Sequence, residues 1–134
     1  MSETPKMSAF IRAASIGGAW ALAINLVLYY VAVAAGWWDT AFITPMGAPI
    51  VAFNVALFSI APALLAGVLA GFLARNGRRG RNLFLGIAAV VFVLMIFPSA
   101  AIGAPTSMVW VLEIMHGAVA VPVVMSIDKV FPAA

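Results

Sequence analysis

Two side chains that could exchange a proton lie three residues apart in the last apolar segment of this sequence. Glu113 and His116 are at positions i and i+3, so they share one face of a helix. A carboxyl group and an imidazole placed in this way could act as an acid/base pair, because imidazole changes its charge near neutral pH. Asn25 and Asn54 place two further hydrogen-bonding side chains in other apolar segments. The sequence therefore offers four candidate site residues in hydrophobic surroundings.

These residues lie in four long apolar segments that fill most of the 134-residue chain. The composition is 66% hydrophobic and 8% charged, whereas soluble domains carry about 25% charged residues. A helix crosses a hydrocarbon core about 30 Å thick with roughly 20 residues, and backbone groups in lipid must bond within the chain. We therefore predict one all-α domain over residues 1–134, a bundle of four transmembrane helices. The predicted spans cover about residues 13–36, 50–74, 83–102 and 108–127.

The seven Lys and Arg residues all lie on one side of these segments. They flank the start of the first span, the link between the second and third spans, and the end of the fourth. By the positive-inside rule both termini and this link are cytoplasmic, and we expect a multi-pass protein of the bacterial inner membrane. The net charge of +3 is thereby explained without nucleic acid as a partner. We assign topology and contact with membrane lipids to the cations of the link, Arg75, Arg78, Arg79 and Arg81.

The four polar residues are predicted to lie at similar depths. Counted from the outer ends of the spans at about 1.5 Å per residue, Asn54, Glu113, His116 and Asn25 lie roughly 6, 8, 12 and 16 Å deep. We predict one polar cluster in the outer half of the bundle, with Asn25, Glu113 and His116 facing its interior, because an ionised Glu exposed to lipid costs about 3 kcal/mol. Two interpretations stay open: a polar contact that fixes helix packing, and a site for a ligand, a proton or a substrate.

Small residues at four-residue spacing indicate where helices approach closely. Gly67 and Gly71 form such a step in the second span, and Gly18 belongs to a similar stripe in the first. Lipid provides no hydrophobic drive for helix association, so close contact through small residues is a common packing device in membranes. We assign these three glycines to helix packing.

Several kinds of catalytic centre are excluded by residue counts. The chain has no Cys and one His, and its spans carry one carboxylate. Thiol redox chemistry therefore has no residues to perform it, a di-iron bundle lacks its further Glu ligands, and bis-His haem lacks its second His. Asp39 and Asp128 are predicted on opposite sides of the membrane, so neither completes a Ser-His-Asp set. We predict no catalytic residues, metal or cofactor.

Short motifs in the spans resemble those of a known family. They are the run Asn25–Tyr29, the proline-bearing second span, the Arg-rich link, and the run Met115–Ala118 followed by Pro122. Together they resemble bacterial four-helix membrane proteins that are known only as a domain of unknown function. The resemblance covers nearly the full chain. It implies four helices with a recurrent polar Asn and His, and it supplies no activity.

We expect a small polytopic membrane protein without a catalytic role, either an accessory subunit or a protein that binds a small ligand or a lipid. One alternative is a small-molecule or proton-coupled transporter. The chain is similar in size to four-helix multidrug exporters, but their first helix carries Glu where this one carries Asn25. The other alternative is a membrane enzyme that uses Glu113 and His116 as an acid/base pair. A homo-oligomer and a larger membrane complex both stay open.

Overall fold

The computed structural model describes residues 3–133, so positions 1, 2 and 134 of the predicted domain lie outside the described residues. Within that range there is no β-strand, and Ile43 and Pro49 form an isolated β-bridge. The prediction of an all-helical chain is confirmed. The helices are α1 Met7–Ala34, α2 Ala52–Leu73, α3 Gly77–Ala101 and α4 Thr106–Asp128, with a 3-10 turn Ala74–Asn76 between α2 and α3.

Three helical stretches among the described residues are long and apolar enough to cross a membrane. They are α1 with 28 residues, α4 with 23 residues, and the 50-residue stretch Ala52–Ala101, in which α2, the 3-10 turn and α3 follow one another directly. Most of the large apolar side chains of this stretch face outward. Such a surface would be insoluble in water and is typical of a membrane protein. Separate crossings by α2 and α3 stay a prediction.

Two helices begin earlier than the predicted spans. The first span was expected from about residue 13 and the third from about residue 83, whereas α1 begins at Met7 and α3 at Gly77. Both added segments carry cations. Lys and Arg are good helix formers, and their long side chains keep the charge in water beside an apolar stem. The helices therefore continue past the residues that hydropathy alone assigns to the hydrocarbon core.

The chain reverses direction between α2 and α3. Gly77 has a φ of +55°, a conformation that L side chains rarely adopt. A Cβ added at Gly80 would collide with the carbonyl oxygen of Leu73. These two glycines let α3 return alongside α2, and side chains of both helices line one groove.

The start of α1, the turn after α2 and the end of α4 lie at one end of the molecule. The ring of Phe131 is 4.9 Å from that of Phe10 and 5.8 Å from that of Phe84, between centroids. Arg81 also donates two hydrogen bonds to Asp128, from Nε to Oδ1 at 2.7 Å and from Nη2 to Oδ2 at 2.9 Å. We call this region, with Arg75, Arg78, Arg79 and Arg81, the Arg-rich end.

α1 packs between α2 and α4 through small residues. A Cβ added at Gly67 would lie 2.6 Å from Cβ of Ala14, and one at Gly18 would lie 3.0 Å from Cβ of Ala63. Gly71 in turn lies against the side chain of Met7. The three glycines assigned to helix packing thus all lie between α1 and α2. On the other side of α1, Gly17 lies against the backbone of α4.

Candidate functional site: an apolar groove with one histidine

A groove with a volume of about 410 Å³ runs between α2, α3 and α4. Its walls are almost entirely apolar. Among the described residues that line it, His116 is the one with a hydrogen-bonding side chain. We call this space the groove; its lining is Phe58, Pro62, Leu65, Ala66, Leu69, Phe84, Ile87, Ala88, Val91, Phe92, Met95, His116, Val119, Ala120, Val123 and Val124.

The groove exists because α3 is buried only near its ends. Its buried residues are Gly80 and Phe84 near the Arg-rich end and Ser99 near the other end. Between them α3 has no buried residue, and the lining residue Val91 is 51% exposed. Leu65, on the α2 wall, is 71% exposed. The groove therefore opens sideways onto the surface that faces lipid in a membrane.

His116 is held against α3 by Ser99. The Nδ1 atom of His116 lies 3.4 Å from Oγ of Ser99, and this hydroxyl donates to the carbonyl of Met95 at 3.3 Å. Serine in an apolar helix commonly satisfies its hydroxyl through its own backbone in this way. The donor in the contact between Nδ1 of His116 and Oγ of Ser99 is set by the tautomer of the imidazole.

Glu113 lies one helical turn from His116 and is not part of the groove lining. It is partly buried, and its Oε1 is fully buried without a hydrogen-bond partner in the described structure. A buried carboxyl oxygen without a partner is costly if the group is ionised. Glu113 therefore places a buried carboxyl oxygen without a partner in the described structure beside the groove.

Asn25 links α1 to both of its neighbours. Its side chain is 3% exposed, and its Nδ2 donates to Oγ of Ser59 at 3.0 Å and to the carbonyl of Met115 at 3.4 Å. Ser59 donates onward to the carbonyl of Val55 at 2.7 Å. The Oδ1 of Asn25 is buried without a partner in the described structure. This amide connects three helices on the side of α4 that faces α1.

Asn54 forms a hydrogen bond with the backbone at the N-terminus of its own helix, α2. Its Oδ1 accepts a hydrogen bond at 2.9 Å from the backbone N–H of Val51, the residue before α2. This bond satisfies one of the backbone donors that a helix leaves unpaired at its N-terminus. Asn54 has no hydrogen bond to the other three predicted site residues.

The four predicted residues thus do not share one hydrogen-bonded network. Asn25 lies on the α1 side of α4, whereas His116, with Glu113 one turn away, is turned to α3 and Ser99. Sequence reasoning missed the two serines that bind Asn25 and His116. A signal was present, because Ser59 and Ser99 are isolated hydroxyl residues in apolar runs close to a proline. Roles for the four predicted residues in ligand binding stay predictions.

The cations of the Arg-rich end differ in their surroundings. Arg81 is paired with Asp128, and its side chain is 37% exposed. The guanidinium of Arg75 lies 5.8 Å from the ring centroid of Phe72. Arg78 and Arg79 are exposed. This end of the molecule therefore presents positive charge that is only partly compensated within the described residues.

Fold and groove together define an all-helical protein of membrane type with an apolar groove. Residues 5–131 match a family described as a family of unknown function, DUF6069. The chain belongs to this family, and the resemblance to an uncharacterised family is confirmed. No curated protein and no solved structure matches it. Its function has to be argued from its own residues.

Proposed function

We propose that this protein is a multi-pass membrane protein that binds an apolar, lipid-like molecule in the groove and has no catalytic role of its own. The observation that carries the proposal is the groove itself. A volume of about 410 Å³ lies within the range of small-molecule sites, about 300–1,000 Å³. Its apolar walls favour an apolar ligand, and its sideways opening gives a molecule dissolved in the bilayer a direct way in.

The proposal includes four membrane crossings, with the Arg-rich end in the cytoplasm. Two observations support it. The Phe10–Phe131 contact and the Arg81–Asp128 pair hold the beginning of α1 and the end of α4 beside the Arg-rich turn. The positive-inside rule assigns such a cationic end to the cytoplasmic side.

Single cysteines test this orientation, because the chain has none of its own. Met46 is 94% exposed at the end opposite the arginines, and Asn82 is exposed at the Arg-rich end. We expect a membrane-impermeant maleimide to label Met46→Cys in intact cells and Asn82→Cys only after lysis. Labelling of Asn82→Cys in intact cells, with Met46→Cys protected, would overturn the orientation.

Filling the groove tests ligand binding. Ala88 and Ala120 line the groove from α3 and α4, whereas Ala89 is exposed and lies outside the lining. Native mass spectrometry of the purified protein should find co-purified lipid-like molecules on the wild type. Ala88→Phe and Ala120→Phe should lower this occupancy, because the new ring takes the ligand's space. Ala89→Phe makes the same change outside the groove and should not. Equal occupancy in all four proteins would refute binding in the groove.

A second candidate function, proton-coupled transport, is favoured by one observation. The Oε1 of Glu113 is buried without a partner one helical turn from His116. Ionisable residues inside membrane spans commonly belong to proton pathways. The test of this candidate is the pair of variants Glu113→Gln and His116→Gln described in the Discussion.

A further inference from the structure

We propose that the occupant of the groove is an anionic phospholipid from the leaflet that contacts the Arg-rich end. One acyl chain lies in the groove, and the phosphate lies beside Arg75 and Arg81. This inference rests on the proposed function, since it names the ligand of the same groove. Three observations carry it: the length of the groove, the direction in which it ends, and the charge found there.

The groove has the length of one leaflet. Its α2 wall runs from Phe58 to Leu69 and its α3 wall from Phe84 to Met95. At 1.5 Å per residue each wall is about 16 Å long. Half of a hydrocarbon core about 30 Å thick is about 15 Å. An acyl chain that spans its own leaflet therefore fills the groove from end to end.

At one end of the groove, the helices α2 and α3 that line it carry cationic residues just beyond the lining. On α3 the lining residues Phe84 and Ala88 follow Arg81 at helical spacing, so all three lie on one face. On α2 the face that carries Leu69 continues to Phe72, whose ring lies beneath the guanidinium of Arg75. Arg81 thus lies about one turn from Phe84, and Arg75 lies six residues, nearly two turns, beyond Leu69.

The charge at this end is suited to a phosphate. The turn places four arginines within seven residues. Of these four arginines, Arg81 forms a salt bridge with Asp128, whereas the other three form none within the described structure. A phosphodiester accepts hydrogen bonds from guanidinium groups, and anionic headgroups are drawn to cations at a membrane surface.

The reverse orientation is unfavourable. At the other end of the groove the polar lining residue is His116, and the stretches 13–74 and 82–128 contain no Lys or Arg that could reach it. A phosphate at that end would be buried in apolar surroundings, where an unpaired charge costs far more free energy than in water.

Competition between two lipids with identical tails tests the proposal. The purified full chain would be placed in detergent micelles with equimolar dioleoyl phosphatidylglycerol and dioleoyl phosphatidylcholine, and bound lipid counted by native mass spectrometry. We expect phosphatidylglycerol to be preferred. Arg75→Gln should reduce that preference about fivefold, the effect of one cation near a membrane surface. Arg75→Lys keeps the charge and should restore most of it.

The matched control is Arg79→Gln, which removes one charge from the same turn. Arg79 does not lie on the face formed by Arg81, Phe84 and Ala88, so its loss should change the preference much less. Equal losses in Arg75→Gln and Arg79→Gln would overturn the placement of the phosphate. Equal binding of the two lipids by the wild type would overturn the anionic ligand. In either case, a decrease of both lipids in Ala88→Phe leaves the proposed function standing. If Ala88→Phe binds both lipids normally, the proposed function itself fails.

Discussion

α1 contacts its neighbouring helices along its length, whereas α3 contacts its neighbours mainly near its two ends. α1 meets α2 and α4 along its length through glycine and alanine, and its polar Asn25 bonds to both neighbours. α3 is buried near its two ends, at Phe84 and at Ser99, and leaves a groove between them. Since lipid offers no hydrophobic drive for association, close packing is what holds membrane helices together. The contacts of α1 therefore supply stability, and those of α3 leave room for a ligand.

The largest expected effect comes from a methyl group in the α1 contact. A Cβ added at Gly17 would lie 2.8 Å from Cα of Val123 and 2.9 Å from the carbonyl oxygen of Pro122. Because these neighbours are backbone atoms, the helices must move apart, and we expect Gly17→Ala to cost about 1–3 kcal/mol. The measurement is the thermal unfolding of the purified protein in detergent.

The matched control is Gly86→Ala on α3, where an added Cβ meets no atom within 4 Å. Alanine is the better helix former by about 1 kcal/mol, so this variant should unfold at the same temperature as the wild type or slightly higher. Equal destabilisation by the two variants would contradict the difference drawn between α1 and α3.

A smaller effect is expected at Asn25. Asn25→Ala removes two interhelical hydrogen bonds, and such bonds contribute on average about 0.6 kcal/mol each in membrane proteins. We therefore expect a loss of about 1 kcal/mol in the same unfolding measurement. Ser15→Ala is the control, because Ser15 is exposed and bonds to the carbonyl of Ile11 in its own helix. If both variants unfold at the wild-type temperature, Asn25 does not stabilise the α1 contacts.

The smallest effect on stability is expected at Glu113. Glu113→Gln keeps the shape and a hydrogen-bonding group but removes the risk of a buried charge, so the unfolding temperature should hold or rise. If the site moves protons, the same variant loses the titrating group. His116→Gln then also fails, since only His changes charge near neutral pH. In that case both variants fold, and at least one fails to restore function in a strain from which the gene has been deleted.

The contrary result for this pair is equally specific. If both variants restore wild-type function in the deletion strain while their unfolding temperature shifts, Glu113 and His116 are packing residues. That outcome would remove proton-coupled transport as a candidate. It would leave lipid binding in the groove untouched.

Hydropathy predicted the helices well, because apolar runs and helical backbone satisfy the same requirement in lipid. The predicted link between the second and third spans contains Gly77 and Gly80, which turn the chain between α2 and α3. α1 and α3 begin about six residues before the predicted spans, because both helices include arginines that lie outside the apolar runs. Hydropathy gives the limits of the hydrocarbon core, whereas helices continue into the interface.

The site was harder to predict, because the depth of a residue, counted along its span, does not tell which neighbouring helix its side chain faces. Asn25 bonds to the carbonyl of Met115, and His116 is the next residue along α4, so Asn25 and His116 lie at similar depths. Asn25 nevertheless joins α1 to α4, whereas His116 contacts Ser99 of α3. Asn54 was assigned to the polar cluster, whereas its hydrogen-bond partner is the backbone N–H of Val51. The groove depends on how far α3 stands from its neighbours, and an apolar pattern does not encode that distance.

The position of α1 between α2 and α4 also has a consequence during synthesis. About 70 residues separate the end of α1 from the start of α4, and ribosomes add about 5–20 residues per second, so α1 precedes α4 by about 4–14 s. During that interval the surface of α1 around Gly17 cannot yet pack against α4. Asn25 then has Ser59 of α2 as its available interhelical partner. The antiparallel pair α1–α2 is therefore the first tertiary unit that the nascent chain can assemble.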